Sequence, residues 1–131
     1  MSCKPLQKEQ HKKEMMAVQD SMDVLNGKWK IQIISSVCYY NKRRFSDILN
    51  DVAGISNKML SKELKELEIN KLINRTVLDT QPVTVQYELT EHGKSLKKII
   101  NNLTEWGIAH RKKIIGNTGE SAKKEIIQLE K

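Results

Sequence analysis

Ile55-Ser56-Asn57-Lys58-Met59-Leu60-Ser61-Lys62-Glu63-Leu64-Lys65-Glu66-Leu67-Glu68-Ile69-Asn70 sorts its residue types by face. At 100° per residue, Leu60, Leu64 and Leu67 fall within roughly 60° of one another, and Lys58, Ser61, Lys62 and Lys65 gather on the opposite side. The acids Glu63, Glu66 and Glu68 fall on the flanks. Ser56 is the natural N-cap, because its hydroxyl can accept an orphan backbone N–H. The spacing predicts a helix over residues 56–70. Its leucine stripe is core, and the opposed stripe carries three cations and a hydroxyl with no acid among them.

Toward the amino end, Phe45, Ile48, Leu49 and Val52 keep the helical spacing and predict a short helix closed near Ala53-Gly54. Lys42-Arg43-Arg44 reads as a compact basic turn. A helix starting near Lys28 carries Ile33, Ile34 and Val37 inward and ends around Tyr40-Asn41. Before it, Met15, Val18, Met22 and Leu25 form one stripe of an amphipathic helix that Asn26-Gly27 stops.

Toward the carboxyl end the period changes from 3.6 to 2. Val83, Val85, Tyr87 and Leu89 alternate with Thr84, Gln86, Glu88 and Thr90, a half-buried strand; residues 73–78 make its partner, and Asp79-Thr80-Gln81-Pro82 supplies the turn. Thr90 then caps a long fifth helix with Leu96, Ile99, Ile100, Leu103 and Trp106 on its apolar side. Gly116-Asn117-Thr118-Gly119 breaks the pattern, and residues 121–130 suit one more short helix. The expected organisation is a flexible basic tail over 1–14, one domain over 15–115 and a carboxyl-terminal tail over 116–131.

The 131 residues hold 23 Lys+Arg against 16 Asp+Glu, a formal charge of +7. An excess of base in a small domain suits a polyanionic partner. The longest uncharged stretch, residues 31–41, still contains Gln32, Ser35, Ser36 and Asn41, far short of the roughly 18–20 apolar residues that span a bilayer. The amino end lacks the apolar middle of a secretory signal, so a cytoplasmic protein is expected. Cys3 and Cys38 make neither a disulfide framework nor, with the scattered His11, His92 and His110, a metal site. Cys38 follows Ile33, Ile34 and Val37 and reads as a buried structural thiol. Asp47 and Asp51 read as ordinary surface acids. No paired-carboxylate, nucleophile–base or phosphate-loop constellation is present, which argues against an enzyme and against a cofactor.

Three helices, a two-stranded hairpin and a long closing helix make a mainly α (α+β) winged helix-turn-helix, with a three-helix core, a β-wing and long flanking helices. In that layout the helix over 56–70 enters the major groove of double-stranded DNA, with the wing over 73–90 beside it. Ser56, Asn57, Lys58, Ser61, Lys62 and Lys65 are the expected DNA contacts, with Arg43 and Arg44 in the basic turn and Arg75 near the base of the wing. The competing class is a winged-helix adaptor that binds protein and not DNA; an adaptor has no need of an acid-free polar stripe. Met15, Val18, Met22, Leu25, Leu96, Ile99, Ile100, Leu103 and Trp106 need a cover, and a symmetric dimer supplies it. Such a dimer sets two such helices about one DNA turn, roughly 34–36 Å, apart. Trp29 and Trp106 read as core or interface anchors.

Asn26-Gly27-Lys28-Trp29, Arg44-Phe45-Ser46-Asp47-Ile48, Gly54-Ile55-Ser56-Asn57-Lys58-Met59-Leu60-Ser61, Leu64-Lys65-Glu66-Leu67-Glu68, Leu72-Ile73-Asn74-Arg75, Val85-Gln86-Tyr87-Glu88-Leu89-Thr90, Gly93 and Trp106-Gly107 occur in an order and spacing that resembles the HxlR-type winged helix-turn-helix regulators, a bacterial branch related to the MarR group. The resemblance covers about residues 16–110. It implies a homodimeric transcriptional regulator that reads a pseudo-palindromic operator and pairs through its first and last helices, where a small apolar effector can sit by analogy. Three positions depart from the pattern. Several members of the family sense oxidants through a cysteine that here is Met16, followed by Ala17. The wing has Thr84 where many relatives carry a base. Lys71 stands where a glycine is usual, which points to Asn70 as the residue taking the left-handed turn.

Overall fold

The computed structural model describes residues 7–116, in nine elements. These are α1 (Lys8–Leu25), α2 (Lys30–Tyr40), β1 (Lys42–Arg44), α3 (Phe45–Asp51), α4 (Asn57–Ile69), β2 (Ile73–Leu78), β3 (Thr84–Leu89), α5 (Glu91–Lys94) and α6 (Leu96–Ile115). The chain divides into two compact units at Lys94/Ser95. Cys3 and the helix expected over residues 121–130 lie outside the described residues.

In the first unit, α2 brings Ile33, Ile34 and Val37 against Ile48 of α3 and Leu60, Leu64 and Leu67 of α4; all are buried. Leu72 and Ile73, with Tyr87 and Leu89 of β3, close the other side of this core. The apolar positions are those the period predicts. Cys38 is half-buried rather than fully enclosed.

The hairpin pairs antiparallel, with Ile73 opposite Leu89 and Leu78 opposite Thr84. Lys42-Arg43-Arg44, expected to be a turn, is instead a strand pairing with the outer side of β3, so the sheet has three strands in the order β1-β3-β2. Three residues are too few to display a period, and it is the free backbone edge of β3 that draws them into the ladder. Lys42 then faces Glu88 across the strands, a favourable opposite-charge pair.

Other boundaries differ for local reasons. α1 begins at Lys8, not Met15, so residues expected in the tail are helical; straight-chain polar residues propagate the helix, and Gln10 bonds Glu14 one turn on. The long closing helix is interrupted at Ser95, after the short α5. Thr90 caps α5 as expected, its Oγ1 accepting from Gly93 N at 2.9 Å. The same hydroxyl donates to Lys71 O at 2.7 Å, and Gly93 lies so close to the Leu72 carbonyl that a Cβ there would stand 2.0 Å from its oxygen.

The end of α4 corrects the expectation for Asn70. Asn70 keeps φ −81°, and Lys71 itself takes the left-handed conformation at φ 62°. Leu72 N donates to Leu67 O and Lys71 N to Glu68 O, the paired bonds of a Schellman turn. The two carbonyls must be satisfied at this register, and Leu72 must point into the core, so the turn falls on Lys71 despite its Cβ.

In the second unit, α6 presents Ile99, Leu103, Trp106 and Ile114 as exposed side chains. Trp106 stacks on His110, ring centroids 4.8 Å apart. α1 has no buried residue, and Met15, Met16, Val18 and Met22 are all exposed.

A left-handed lysine carries roughly 1–2 kcal/mol of strain that glycine avoids, offset in part by glycine's greater chain entropy. Lys71→Gly is therefore expected to raise stability by roughly 0.5–1 kcal/mol, read as a higher urea midpoint at unchanged slope. A lowered midpoint overturns the account of this turn.

Candidate nucleic-acid interface

The exposed face of α4 is set by its buried one. Ser56 caps the helix as predicted, its Oγ accepting from Met59 N at 3.1 Å. Leu60, Leu64 and Leu67 hold the inner face in the core, while Ser56, Asn57, Lys58, Ser61, Lys62 and Lys65 are all exposed.

The helix is also held by charge. Lys30 of α2 is buried, and its Nζ lies 2.6 Å from Glu63 Oε2 and also bonds Glu66 Oε2. Burial works against the Lys30 ammonium, but the hydrogen bonds it donates to Glu63 and Glu66 outweigh this and raise its pKa above the ordinary lysine value. The hydrogen bond from Lys30, helped by its charge, lowers Glu66 below the ordinary carboxylate range. Glu63, a flank residue on the helical wheel, is in fact buried.

Six of the nine predicted contact residues fall into three groups. Ser61 and Lys65 meet Arg75 of β2 across an open groove of about 450 Å³. Its floor is apolar, made by Phe45, Leu64, Val85 and Tyr87. Lys62 faces the other way, into a cleft shared with Asp23, Asn26, Lys30 and Glu66. Arg43 and Arg44 are committed internally. Arg43 forks onto both oxygens of Asp51, whose Oδ2 also accepts from Ser36, and its guanidinium lies 3.8 Å from the centroid of Tyr40. Arg44 bonds Asp47 through Nε and through its backbone N–H. The side-chain hydrogen bond from Arg44 is the chief reason Asp47 titrates below its usual value.

Two sequence readings need correction here. Asp47 and Asp51 are not ordinary surface acids; they hold the basic strand onto α3 and α2. The polar stripe of α4 is also less free of acid than the wheel suggests, because Glu68 lines the same groove as Ser61 and Lys65. The wheel places Glu68 on a flank, but the wing closes over that flank and makes it a wall. Strand periodicity gives no distance between a hairpin and a helix, so the sequence carries no signal of this approach.

A three-helix core with an exposed basic helix, followed by a hairpin that stands beside that helix, defines a winged helix-turn-helix of the DNA-binding transcriptional regulator class. Comparison with known proteins agrees: residues 24–114 match the HxlR-like helix-turn-helix family. The chain belongs to that family and is a helix-turn-helix transcriptional regulator, which is not an enzyme. It is 37% identical over 107 residues to the HTH-type transcriptional regulator YtcD of Bacillus subtilis, covering 82% of this chain and 84% of the relative. An HTH-type transcriptional regulator of Methanothermobacter thermautotrophicus is 38% identical over 112 residues, covering 82% and 81%. The solved structure of the redox regulator HypR in its reduced form aligns with a TM-score of 0.67 at 32% identity, over 76% of this chain and 98% of that one. No helix among the described residues is long and apolar enough to cross a membrane.

Removing Lys30 leaves Glu63 buried without its counter-charge. Lys30→Met is expected to cost about 3–5 kcal/mol in chemical unfolding, and adding Glu63→Gln to recover part of that. The pH profile has a definite sign. Glu66 and Asp47, lowered in the folded state, contribute above the ordinary carboxylate value near 4 and lose that contribution as pH falls through their folded values; Lys30, raised, contributes fully below the ordinary lysine value and loses it only as pH rises through its folded value. Stability is thus expected to hold across neutral pH and to fall below about pH 4, with a shallower acid limb in Lys30→Met. An unchanged acid limb in that variant contradicts the assignment.

Proposed function

We propose that this regulator acts as a cytoplasmic homodimer that binds a pseudo-palindromic operator in double-stranded DNA, with α4 in the major groove and the β2–β3 hairpin as the wing. The observation that carries the reading is the face of α4: Lys58, Ser61, Lys62 and Lys65 exposed over three leucines buried beneath them. A helix of this width fits the major groove, which is about 12 Å across, and rigid backing lets its side chains meet base edges at fixed positions. Asn57 and Ser61 suit base edges; Lys58, Lys62 and Lys65 suit phosphates or guanine acceptors. Arg43 supports the wing's edge from within, through Asp51 and Tyr40, and is not among the proposed contacts.

Dimer formation is supported by two unpartnered apolar stripes. Met15, Val18 and Met22 on α1, with Leu25 half-buried at its end, and Ile99, Leu103 and Trp106 on α6 form faces that a single copy leaves to water. A symmetric dimer built through these faces carries two copies of α4, one for each half-site of a pseudo-palindrome. HypR is a redox regulator. In this chain Met16 occupies the position where the family resemblance expects a sensing thiol.

Selection of bound duplexes from a random library is expected to enrich a pseudo-palindrome with half-sites about one helical turn apart. Lys62→Ala is expected to weaken binding to it by about 1–3 kcal/mol if Lys62 reads a base. Equal affinity for the selected and scrambled duplexes overturns specific recognition. Sedimentation equilibrium at micromolar concentration is expected to give the mass of two chains, and Leu103→Asp with Trp106→Asp that of one. A one-chain mass for the unaltered protein refutes the dimer.

A further inference from the structure

The groove between α4 and the wing has a composition that the DNA reading alone does not require. Lys65 on α4 and Arg75 on β2 stand on its two walls, and neither forms an ion pair among the described residues. By contrast, both arginines of the basic strand before α3, Arg43 and Arg44, are held by aspartates. Glu68 stands in the same groove and is likewise unpaired among the described residues, although Lys65 is one helical turn away. Two cations and one carboxylate leave a single net positive charge around an apolar floor. One phosphodiester and its sugar are the complement of that arrangement: one negative charge for the rim and an apolar sugar face for Phe45, Leu64, Val85 and Tyr87.

Resting on the DNA reading above, we infer that this groove seats one backbone phosphate of the duplex, held from opposite walls by Lys65 and Arg75 with the Ser61 hydroxyl as donor, and that Glu68 is a built-in limiter of that grip. Without a ligand, Lys65 and Arg75 repel each other across the groove, and the phosphate relieves that repulsion. Glu68 faces the same phosphate and repels it. Because a phosphate carries no sequence information, Glu68 lowers affinity for every duplex by a similar factor. It shortens residence on operator and bulk DNA alike and leaves the ratio between them to the base contacts of α4. The wing adds no second cation to compensate, since residues 76–89 contain neither lysine nor arginine.

Fluorescence anisotropy with the full chain, on its selected operator and on a scrambled duplex at several salt concentrations, tests this. Glu68→Gln is expected to tighten both complexes by a similar factor of about two to five. Lys65→Ala and Arg75→Ala are each expected to weaken both and to reduce the salt slope by about one phosphate's contribution. In the Lys65→Ala/Arg75→Ala background, the gain from Glu68→Gln is expected to shrink, because the phosphate no longer occupies the groove. All three side chains are exposed and free of side-chain bonds among the described residues, so matched thermal unfolding serves as the folding control. If the unaltered protein binds duplex DNA and these variants leave affinity and salt slope unchanged, the groove is not a phosphate seat. If Glu68→Gln tightens the operator complex alone, Glu68 faces a base and the limiter role is wrong. Failure of the unaltered protein to bind any duplex overturns the DNA reading itself, and with it this one.

Discussion

The orientation of α4 depends on one buried ammonium. Three leucines on a helix face tolerate small rotations and slides, because apolar contact is non-directional. The bond from Lys30 to Glu63 does not, since any turn that parts them leaves two charges in the core, each costing several kcal/mol. Glu63 and Glu66 lie on the flank of α4 that faces α2. Tethering that flank points the opposite one, with Ser61, Lys65 and Glu68, toward the hairpin. The groove is thus a consequence of a charge pair on the other side of the helix. At the carboxyl end of α4 the Schellman turn at Lys71, bonded by Thr90 and crowded by Gly93, fixes where the chain leaves for β2 and hence how far the wing stands off.

A net charge of +7 says little by itself, because the cations have different roles. Lys30 is structural and buried. Arg43 and Arg44 are paired within the fold, where they bind β1 to α2 and α3 and so stiffen the sheet from which the hairpin projects. Lys58, Lys65 and Arg75 form no ion pair among the described residues and remain available to a polyanion. On the proposed reading the field that draws DNA comes from such cations, and its reach is limited to about a Debye length, near 8 Å at physiological salt. What matters for a partner is therefore which cations lack an internal counter-charge, a property of the fold and not of composition.

The elements that a single sequence reveals are those with a long, regular period. The leucine stripe of α4, the alternation in β3, the Ser56 cap and the glycine stops after α1 and α3 all rest on local chemistry and are found where the pattern puts them. The features that escape it depend on distant neighbours. β1 is a strand only because β3 offers an edge. Glu63 is buried only because Lys30 arrives from another helix, and Glu68 belongs to the groove only because the wing approaches that flank. Lys71 is a different case: the local rule favours Asn70, but the need to bury Leu72 at the right register overrides it. Half of the candidate interface, the face of α4, was legible; the other half is made by the space between two elements, which periodicity does not encode.

That space also bears on what the wing does. β2 and β3 carry one cation, Arg75, placed near the base of the hairpin opposite Tyr87, whereas the distal part exposes Val77 and Val83 and ends in Asp79. A wing that grips DNA by reaching along the backbone needs cations at its tip, where charge falls off the core scaffold. This hairpin has its charge where it meets α4 and an acid where it is farthest from it. On the proposed reading, contact is concentrated at the junction, and the hairpin acts as the second wall of a single phosphate seat rather than as an independent arm. Tyr87 and Leu89 anchor β3 in the core, and β1 braces its outer edge through Arg43, so the sheet that carries Arg75 is braced beside α4. On that reading the internal ion pairs serve the interface indirectly, by bracing the sheet that carries Arg75.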